Sequence, residues 1–363
     1  MPERTILRTR TRITWMGRHS GYDRGCDFLG DAAEGWRFID VRRATEPLGP
    51  LRRRYFDRRR RGCSESPLYD AHSYLLEREV ERTAARETPD LIHLMYLEID
   101  LGFLVDRSRV GGGALIATAH QPSSWWKVLH GRPEVVQSLD GLIVLTECEA
   151  DFWEEHLPGR VFVARHGVDV EFFRPDDGEA ECQPESSTCL VVGHWLRDLD
   201  TLAEVVDRLL ARDGRIGVDF VLPRDARSSD FLLRMARHER VHFHEGLSNE
   251  ELRDLYRRSA LLLLPMLDAT ANNAILEAQA CGTPIVSTDV SGVASYVDPS
   301  FADLLPAGDV DGILDAVVRI VESDGERERR GRAARAHAVE NLSWQRLAPR
   351  VLEVYESVLR RAE

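Results

Sequence analysis

The sequence predicts an α/β protein with two domains, each built from a parallel β-sheet that helices cover. Apolar runs of strand length alternate along the chain with segments of helical periodicity. The 363 residues suffice for two cores of ordinary size. The stretch 176–188 is acidic and nearly free of large apolar side chains, as interdomain linkers are. We therefore expect a first domain at 1–175, a second at 189–343 and a terminal helix at 344–363.

Strands are predicted where short apolar runs end in polar or glycine-containing segments. In the first half these are Arg12–Met16, Leu91–Met95, Ala114–Ala117, Leu142–Leu145 and Val161–Ala164. In the second half they are Leu190–Val192, Val218–Leu222, Val241–Phe243, Leu261–Leu264 and Ile285–Ser287. An amphipathic pattern over Trp344–Arg361 predicts the last helix.

The segment 261–297 carries the most specific pattern. A buried strand is followed by the polar turn Asp268–Asn273, a short helix that ends at Gly282, and a strand from Ile285. Backbone N–H groups at the start of such a helix favour a phosphate. Glu277 lies about one turn inside the helix, where its carboxylate can accept hydrogen bonds from a sugar attached to that phosphate. The alternative is an ordinary strand–helix–strand unit with a solvated Glu277.

Charge is unevenly distributed. Residues 1–170 hold 25 Lys+Arg and 26 Asp+Glu, whereas residues 171–363 hold 23 and 35. This acidic second half argues against nucleic-acid binding, which needs a basic face. A nucleotide diphosphate would have to be bound by a few local donors.

The composition also bears on location and cofactors. The six cysteines form no Cys-x-x-Cys pair, so we expect neither a zinc site nor a disulfide framework. We find no apolar run of membrane-spanning length and no signal-peptide core. These features predict a cytoplasmic protein. No Asp-x-Asp in a strand context points to a metal-bound donor, so we expect no metal ion and no cofactor besides a co-substrate.

Five segments are informative because of the order in which they follow one another along the chain. They are His166–Asp169 with Phe173–Pro175, Val191–Gly193, Gly246–Ser248 with Glu251 and Tyr256, the segment around Glu277, and Ser343-Trp344. Together they resemble the retaining GT-B glycosyltransferases of family four, the glycosyl transferases group 1, over about residues 90–360. The resemblance implies two Rossmann-like domains facing across a cleft, with the C-terminal helix crossing back to the first domain. It further implies that a sugar moves from a nucleotide-diphosphate sugar to an acceptor hydroxyl with retention of anomeric configuration.

The donor motif of that family carries two glutamates separated by seven residues. The second corresponds to Glu277, but the first falls on Ala269, with Asp268 one residue earlier. The resemblance makes this turn and the earlier glycine donor-binding candidates: Gly246, Asp268, Thr270, Ala271, Asn272, Asn273 and Glu277. Asn272 and Asn273 also suit a helix N-cap.

The loop after Gly193 opens the second domain. The family carries an arginine and a lysine there, which bind the diphosphate. Here His194 stands at the arginine position and Arg197 near the lysine position. A guanidinium can bind phosphate through two N–H groups. The resemblance thus makes Arg197 both a donor-binding and a catalytic candidate, with Gly193 and His194 as donor-binding neighbours.

A polar turn follows the first predicted strand, at the sheet edge where parallel sheets bind ligands. Gly17 would let the backbone approach the donor phosphate. Arg18, His19 and Tyr22 are candidates for the acceptor side. The alternative is a plain surface turn.

His120 ends the strand that starts at Ala114. It resembles the family histidine that reaches the transferred sugar, and its imidazole could donate a hydrogen bond to a sugar hydroxyl. With Glu277 and Arg197 it completes the catalytic candidates. Trp125 and Trp126 follow on the acceptor side; adjacent side chains diverge on a helix, so we expect at least one to be exposed for sugar stacking. The alternatives are a structural histidine and two core tryptophans.

The segment Arg52–Arg61 holds seven arginines, with Tyr55 and Phe56 between them. It could contact an anionic membrane or a phosphorylated lipid acceptor, so that the protein lies peripherally on the inner membrane surface. The alternative is a solvated helix face neutralised by acids such as Asp57, Glu65 and Asp70.

The sequence as a whole predicts a glycosyltransferase whose partners are a nucleotide sugar and an acceptor that the sequence does not name. Two alternatives stay open. One is a nucleotide-sugar epimerase or hydrolase of the same fold, which would need a base in the first domain. The other is a non-catalytic nucleotide-sugar-binding protein, which is favoured by Ala269 standing where the family carries its first glutamate.

Overall fold

The computed structural model describes residues 4–13, 17–130, 133–176, 187–212, 214–227 and 229–362. They form two compact units. Unit 1 comprises the described residues up to His166, except Gly17–Ser20, together with the chain from Trp344. Unit 2 comprises Gly17–Ser20 and Gly167–Ser343. Residues 167–175, expected in the first domain, therefore belong to the second unit, and most of the predicted linker, at 177–186, lies outside the described residues.

Unit 1 contains a six-stranded parallel sheet in the order β2-β1-β3-β4-β5-β6. Its strands are β1 (Arg4–Arg10), β2 (Trp36–Arg42), β3 (Leu91–Leu94), β4 (Ala114–Ala119), β5 (Gly141–Val144) and β6 (Val161–Val163). Its helices are α1 (Gly25–Ala32), α2 (Pro50–Arg59), α3 (Ala71–Glu87), α4 (Leu97–Asp100), α5 (Ser123–Trp125), α6 (Glu147–Glu154) and, from the end of the chain, α14 (Trp344–Ala362). Every residue of β3, β4 and β5 is buried, as expected for strands with helices on both faces.

The last helix returns to the first sheet, as predicted. Ala348, Val351 and Tyr355 of α14 share one buried cluster with Ile6 of β1 and Ile116 of β4. Its apolar residues recur every three or four positions, which places them on one helix face.

The first strand is not where the sequence predicted it. The expectation was Arg12–Met16, whereas β1 spans Arg4–Arg10 and residues 14–16 lie outside the described part. The physical reason is that β1 buries two charged residues. Arg8 donates to Asp40 Oδ1 through Nε at 2.9 Å and Nη2 at 2.7 Å, and Arg10 pairs with Asp23 at 2.6 Å. Buried charges are tolerated when they are paired, but such a strand has no apolar signature. The β2 strand, which supplies Asp40, was also missed.

Unit 2 contains a second parallel sheet in the order β12-β11-β10-β7-β8-β9. Its strands are β7 (Thr188–Val192), β8 (Gly217–Val221), β9 (Val241–His244), β10 (Leu261–Leu264), β11 (Ile285–Thr288) and β12 (Ala302–Leu305). Its helices are α7 (Leu199–Arg212), α8 (Asp230–Met235), α9 (Asn249–Arg258), α10 (Asn273–Cys281), α11 (Ser291–Ala294), α12 (Val310–Val321) and α13 (Asp324–His337).

The five predicted strands of unit 2 are confirmed within two residues at each end, and β12 is an addition. The order corresponds to that of a Rossmann fold, in which the strand sequence reverses between β7 and β10. Ligands of such sheets bind beyond the carboxyl ends of the strands at the reversal. Among the residues that the structure describes, every helix is too short or too polar to cross a bilayer.

Candidate active site

The turn after β10 and helix α10, whose strand–turn–helix order the sequence predicted, form the centre of the candidate site. Asn272 is the N-cap: its side-chain oxygen accepts hydrogen bonds from the backbone N–H groups of Ala274 at 3.0 Å and Ile275 at 3.4 Å. Gly282 ends the helix with φ 77°, in the left-handed region that favours glycine. Asn272 thus caps the helix and uses two N–H groups that we expected to face a phosphate.

The remaining donor-binding candidates lie around this turn. The side chain of Asp268 accepts from the N–H of Ala269 at 2.7 Å. Ala269 and Thr270 are buried, while Ala271 and Asn273 are half-buried. Gly246 adopts φ 65° just before α9. Asp268, which is adjacent to the position where the family carries its first glutamate, therefore stabilises its own turn.

Glu277 is buried rather than solvated, so the alternative of a solvated carboxylate is wrong. Its side chain is 4% exposed and accepts a hydrogen bond from the Tyr256 hydroxyl at 3.0 Å. It also hydrogen-bonds Ser20. Burial raises the pKa of Glu277 to about 7, with the two hydroxyl partners opposing that rise. This carboxyl group therefore changes charge near neutral pH.

The loop Gly17–Ser20 packs within unit 2, beside Glu277. The Ser20 hydroxyl accepts from the Asn249 amide at 3.3 Å, and the His19 N–H donates to the Asn249 side-chain oxygen at 3.4 Å. A Cβ on Gly17 would lie 1.8 Å from that oxygen. Glycine at position 17 thus lets the Asn249 side chain approach the loop backbone, and the phosphate contact of Gly17 stays a prediction. Neither Ser20 nor Asn249 was among the predicted site residues, because their contact joins positions that are remote in sequence.

His19 was expected on the acceptor side of the first domain, but it lies in unit 2. Its Nδ1 is 2.8 Å from Oδ2 of the buried Asp169, and its ring stacks on Phe172 with centroids 3.8 Å apart. Arg18 donates from Nε to His19 Nε2 at 3.0 Å. Nδ1 therefore carries the proton donated to Asp169, and Nε2 is an acceptor. Such a fixed imidazole orients the loop that contacts Glu277.

The loop after β7 is shaped by Arg197. Its Nε and Nη2 donate to the Val192 carbonyl at 3.2 and 2.8 Å, and its Nη1 donates to the Trp195 carbonyl at 2.8 Å. Burial lowers the pKa of Arg197 to about 10. Because backbone carbonyls occupy the fork of the guanidinium, the two-point phosphate contact that we predicted is wrong for this conformation.

The same loop presents other side chains outward. Gly193 has φ 76° and Leu196 has φ 54°, the latter an uncommon conformation for leucine. The Leu196 carbonyl accepts from the N–H of Leu267 at 2.9 Å, which joins this loop to the turn after β10. His194 and Trp195 are exposed at this junction. His194 is therefore the exposed donor-binding candidate of this loop, whereas the guanidinium of Arg197 turns inward.

In unit 1, His120 is partly buried at the carboxyl end of β4. Its Nε2 is 2.9 Å from the Met95 carbonyl, so that nitrogen carries a proton and donates it. Its backbone N–H donates to the buried Glu98 at 2.7 Å, and its ring stacks on Tyr96 with centroids 4.2 Å apart. Burial, followed by the nearby His166, lowers the pKa of His120 to about 3. The ring is therefore neutral, and its N–H group, which we expected to donate a hydrogen bond to a sugar hydroxyl, donates to the Met95 carbonyl instead.

The aromatic residues predicted for the acceptor side lie in cores. Trp125 and Trp126 are each 3% exposed, so the expectation that one would be free for stacking is wrong. Both belong to the buried cluster that includes Trp153, because the helical segments that carry them, α5 and the one that follows it, are covered on more than one side. Tyr22 is also buried, edge-on to His120 at 4.8 Å. These residues support the sheet edge rather than line an open surface.

Comparison with known proteins agrees with this architecture. The sequence pattern of the family described as "Glycosyl transferases group 1" matches residues 186–323. A D-inositol 3-phosphate glycosyltransferase of Actinosynnema mirum is 31% identical over 316 residues, covering 76% of this chain and 75% of that protein. Another protein of that name, from Streptomyces bingchenggensis, is 28% identical over 270 residues; the match covers 68% of this chain and 59% of the relative's length.

Solved structures agree with the fold. Sucrose-phosphate synthase from Thermosynechococcus elongatus superposes with a TM-score of 0.74 at 18% identity, over 99% of this chain and 100% of that one. Anabaena HepE, in complex with UDP and glucose, superposes with a TM-score of 0.67 at 14% identity, over 97% and 99% of the two chains. The two parallel six-stranded sheets are thus those of the GT-B fold, and the chain belongs to the glycosyl transferases group 1 family.

Proposed function

We propose that this chain transfers a sugar from a nucleotide-diphosphate sugar to an acceptor hydroxyl with retention of anomeric configuration. One observation carries the proposal. At the strand reversal of unit 2, a buried carboxyl group with a near-neutral pKa, Glu277, lies beneath a loop held by side-chain hydrogen bonds. A buried carboxyl group with a shifted pKa next to a ligand-binding edge is typical of functional sites. Here it suits hydrogen bonding to the hydroxyls of the donor.

The proposed reaction does not require a strong base from the protein. In a retaining transfer by front-face attack, the departing diphosphate accepts the proton of the acceptor hydroxyl. The protein then contributes positioning and stabilisation of the charge that develops on the diphosphate. We assign the stabilisation of that charge to His194, which is exposed at the junction of the two loops. We expect no metal ion or other cofactor to take part.

The relatives guide the choice of substrates. HepE is described in complex with UDP and glucose, so UDP-sugars are the first donors to test. The relatives named for D-inositol 3-phosphate make a phosphorylated polyol the first acceptor class. The neutral His120, whose Nε2–H already donates a hydrogen bond to the Met95 carbonyl, would contribute through its position rather than as a general acid.

A donor screen tests the proposal. Thermal melting of the full chain with UDP, GDP, ADP and dTDP should identify one nucleotide that raises the melting temperature, since ligands of the native state stabilise it. The matching labelled nucleotide sugar should then give a glycosylated acceptor, with and without a chelator. Release of free sugar alone would indicate a hydrolase. Absence of any nucleotide effect would contradict the proposed donor site.

A further inference from the structure

Unit 1 contains a cavity of about 620 Å³ formed by none of the residues assigned to the candidate active site. Four arginines line it: Arg58, Arg59, Arg78 and Arg109. No carboxylate is among its described lining residues. The cavity lies between the end of α2, the helix α3 and the segment 103–109, so three separate stretches of chain bring these cations together.

The positive charges of this cavity are only partly neutralised. Glu81 is shared between Arg78 at 2.7 Å and Arg109 at 3.0 Å, and Asp106 lies 3.5 Å from Arg109. The partner of Arg59 is the hydroxyl of Tyr74, which is neutral. Within the described part of the chain, no carboxylate lies within 4.0 Å of the Arg58 guanidinium. The four lining guanidinium groups therefore have two carboxylates as ion-pair partners, and this surplus of positive charge favours an anion.

Two of the three acids that we expected to neutralise this segment, Asp57 and Asp70, contact other arginines. Asp57 pairs with Arg53 at 3.8 Å and with Arg60 at 3.0 Å. Asp70 pairs with Arg43 at 2.6 Å. Neither carboxylate reaches the arginines that line the cavity. The last turn of α2 is solvent-exposed, as the solvated-face alternative expects, but Asp57 and Asp70 do not neutralise its Arg58 and Arg59.

Aromatic side chains form the walls between the cations. Tyr74 packs edge-on against Phe103 with centroids 5.2 Å apart, and Tyr55 completes the lining. Tyr55 is 58% exposed, and Leu51, one turn earlier on the same helix, is 85% exposed. Residues four apart share a helix face. An apolar edge therefore borders the cationic cavity.

We propose that this cavity binds a phosphate-bearing ligand through the paired N–H groups of its arginines. Guanidinium groups bind phosphate oxygens in this forked manner and stay charged at all physiological pH values. The phosphate could belong to a lipid headgroup, which the exposed Leu51 and Tyr55 would suit, or to a soluble phosphate ester. This proposal is independent of the donor site in unit 2.

A thiol in the cavity reports occupancy directly. Cys63 lines the cavity and is half-buried, whereas Cys148 is exposed elsewhere in unit 1. The full chain is alkylated with iodoacetamide in the presence of inorganic phosphate, of phosphatidylcholine vesicles, or of such vesicles containing phosphatidic acid. Mass spectrometry gives the rate at each cysteine. A ligand at about ten times its Kd should slow Cys63 about tenfold, because only unliganded protein reacts, and leave Cys148 unchanged.

Two double variants with equal charge loss on α2 distinguish the cavity from general charge. Arg58→Gln with Arg59→Gln removes two lining cations, whereas Arg52→Gln with Arg54→Gln removes two exposed cations outside the lining. The first pair should raise Kd about tenfold or more and the second less than about twofold. Protection by phosphate indicates a soluble ester, and protection only by phosphatidic acid vesicles indicates a headgroup. If both double variants weaken ligand binding equally, or if neither phosphate nor the phosphatidic acid vesicles protect Cys63 from alkylation, the proposal is overturned.

Discussion

Replacing Glu277 by glutamine should stabilise the fold at alkaline pH while it weakens nucleotide binding. The carboxyl group has a pKa of 4.5 when it is solvated and about 7 when it is buried beside Tyr256. That difference corresponds to about 3 kcal/mol in favour of the neutral form. Because the pKa is higher in the folded state, this stabilisation is complete below pH 4.5 and is lost as the pH rises through about 7.

Glutamine has a similar shape and stays neutral, so it avoids that loss. We therefore expect Glu277→Gln to be more stable than the natural chain by up to about 3 kcal/mol near pH 8, with the gap closing towards about pH 4. Scanning calorimetry at several pH values measures it. Glu250→Gln, an exposed change in the first turn of α9, is the control and should show no such gap.

The same substitution removes a charged acceptor for donor hydroxyls. Losing such a hydrogen bond costs about 1.5–3 kcal/mol, or about ten- to a hundredfold in Kd. Calorimetric titration with the nucleoside diphosphate near pH 8 should show this loss for Glu277→Gln but not for the control. Unchanged nucleotide affinity would refute the role assigned to Glu277. A variant less stable than the natural chain at alkaline pH would refute the reasoning about its burial.

Three further substitutions test the surroundings of the site. Gly17→Ala should lower donor affinity at least about tenfold, since its Cβ would lie 1.8 Å from the Asn249 side chain; Gly30→Ala, which meets nothing within 4 Å, should bind normally. Arg197→Ala should lower melting temperature and donor affinity together, because its hydrogen bonds hold the loop; lost turnover with unchanged stability would show instead that it acts on the leaving diphosphate. Trp126→Ala should cost about 3–5 kcal/mol of stability, measured by urea denaturation, and an acceptor KM that changes in a fully stable variant would contradict its place in the core.

Much of the donor-side framework follows from local sequence. The run Leu261–Leu264, the N-cap Asn272 and the stop at Gly282 each specify structure through neighbours a few residues away, so β10 and α10 were predicted closely. Apolar periodicity and capping act over one or two helical turns. The parallel sheets were predicted from the alternation of strand and helix patterns, whereas the return of the terminal helix was implied only by the family resemblance.

The tertiary structure decided what depends on remote partners. Ser20 meets Asn249 across 229 residues of sequence, and this contact places the loop beside Glu277. Arg8 is buried in a strand because Asp40, 32 residues away, neutralises it. Arg197 turns inward to Val192, whereas its residue type alone suggested a phosphate contact. A side chain's chemistry fixes what it can bind, but only the folded chain determines which partner reaches it first, since hydrogen bonds and ion pairs require contact within a few ångströms.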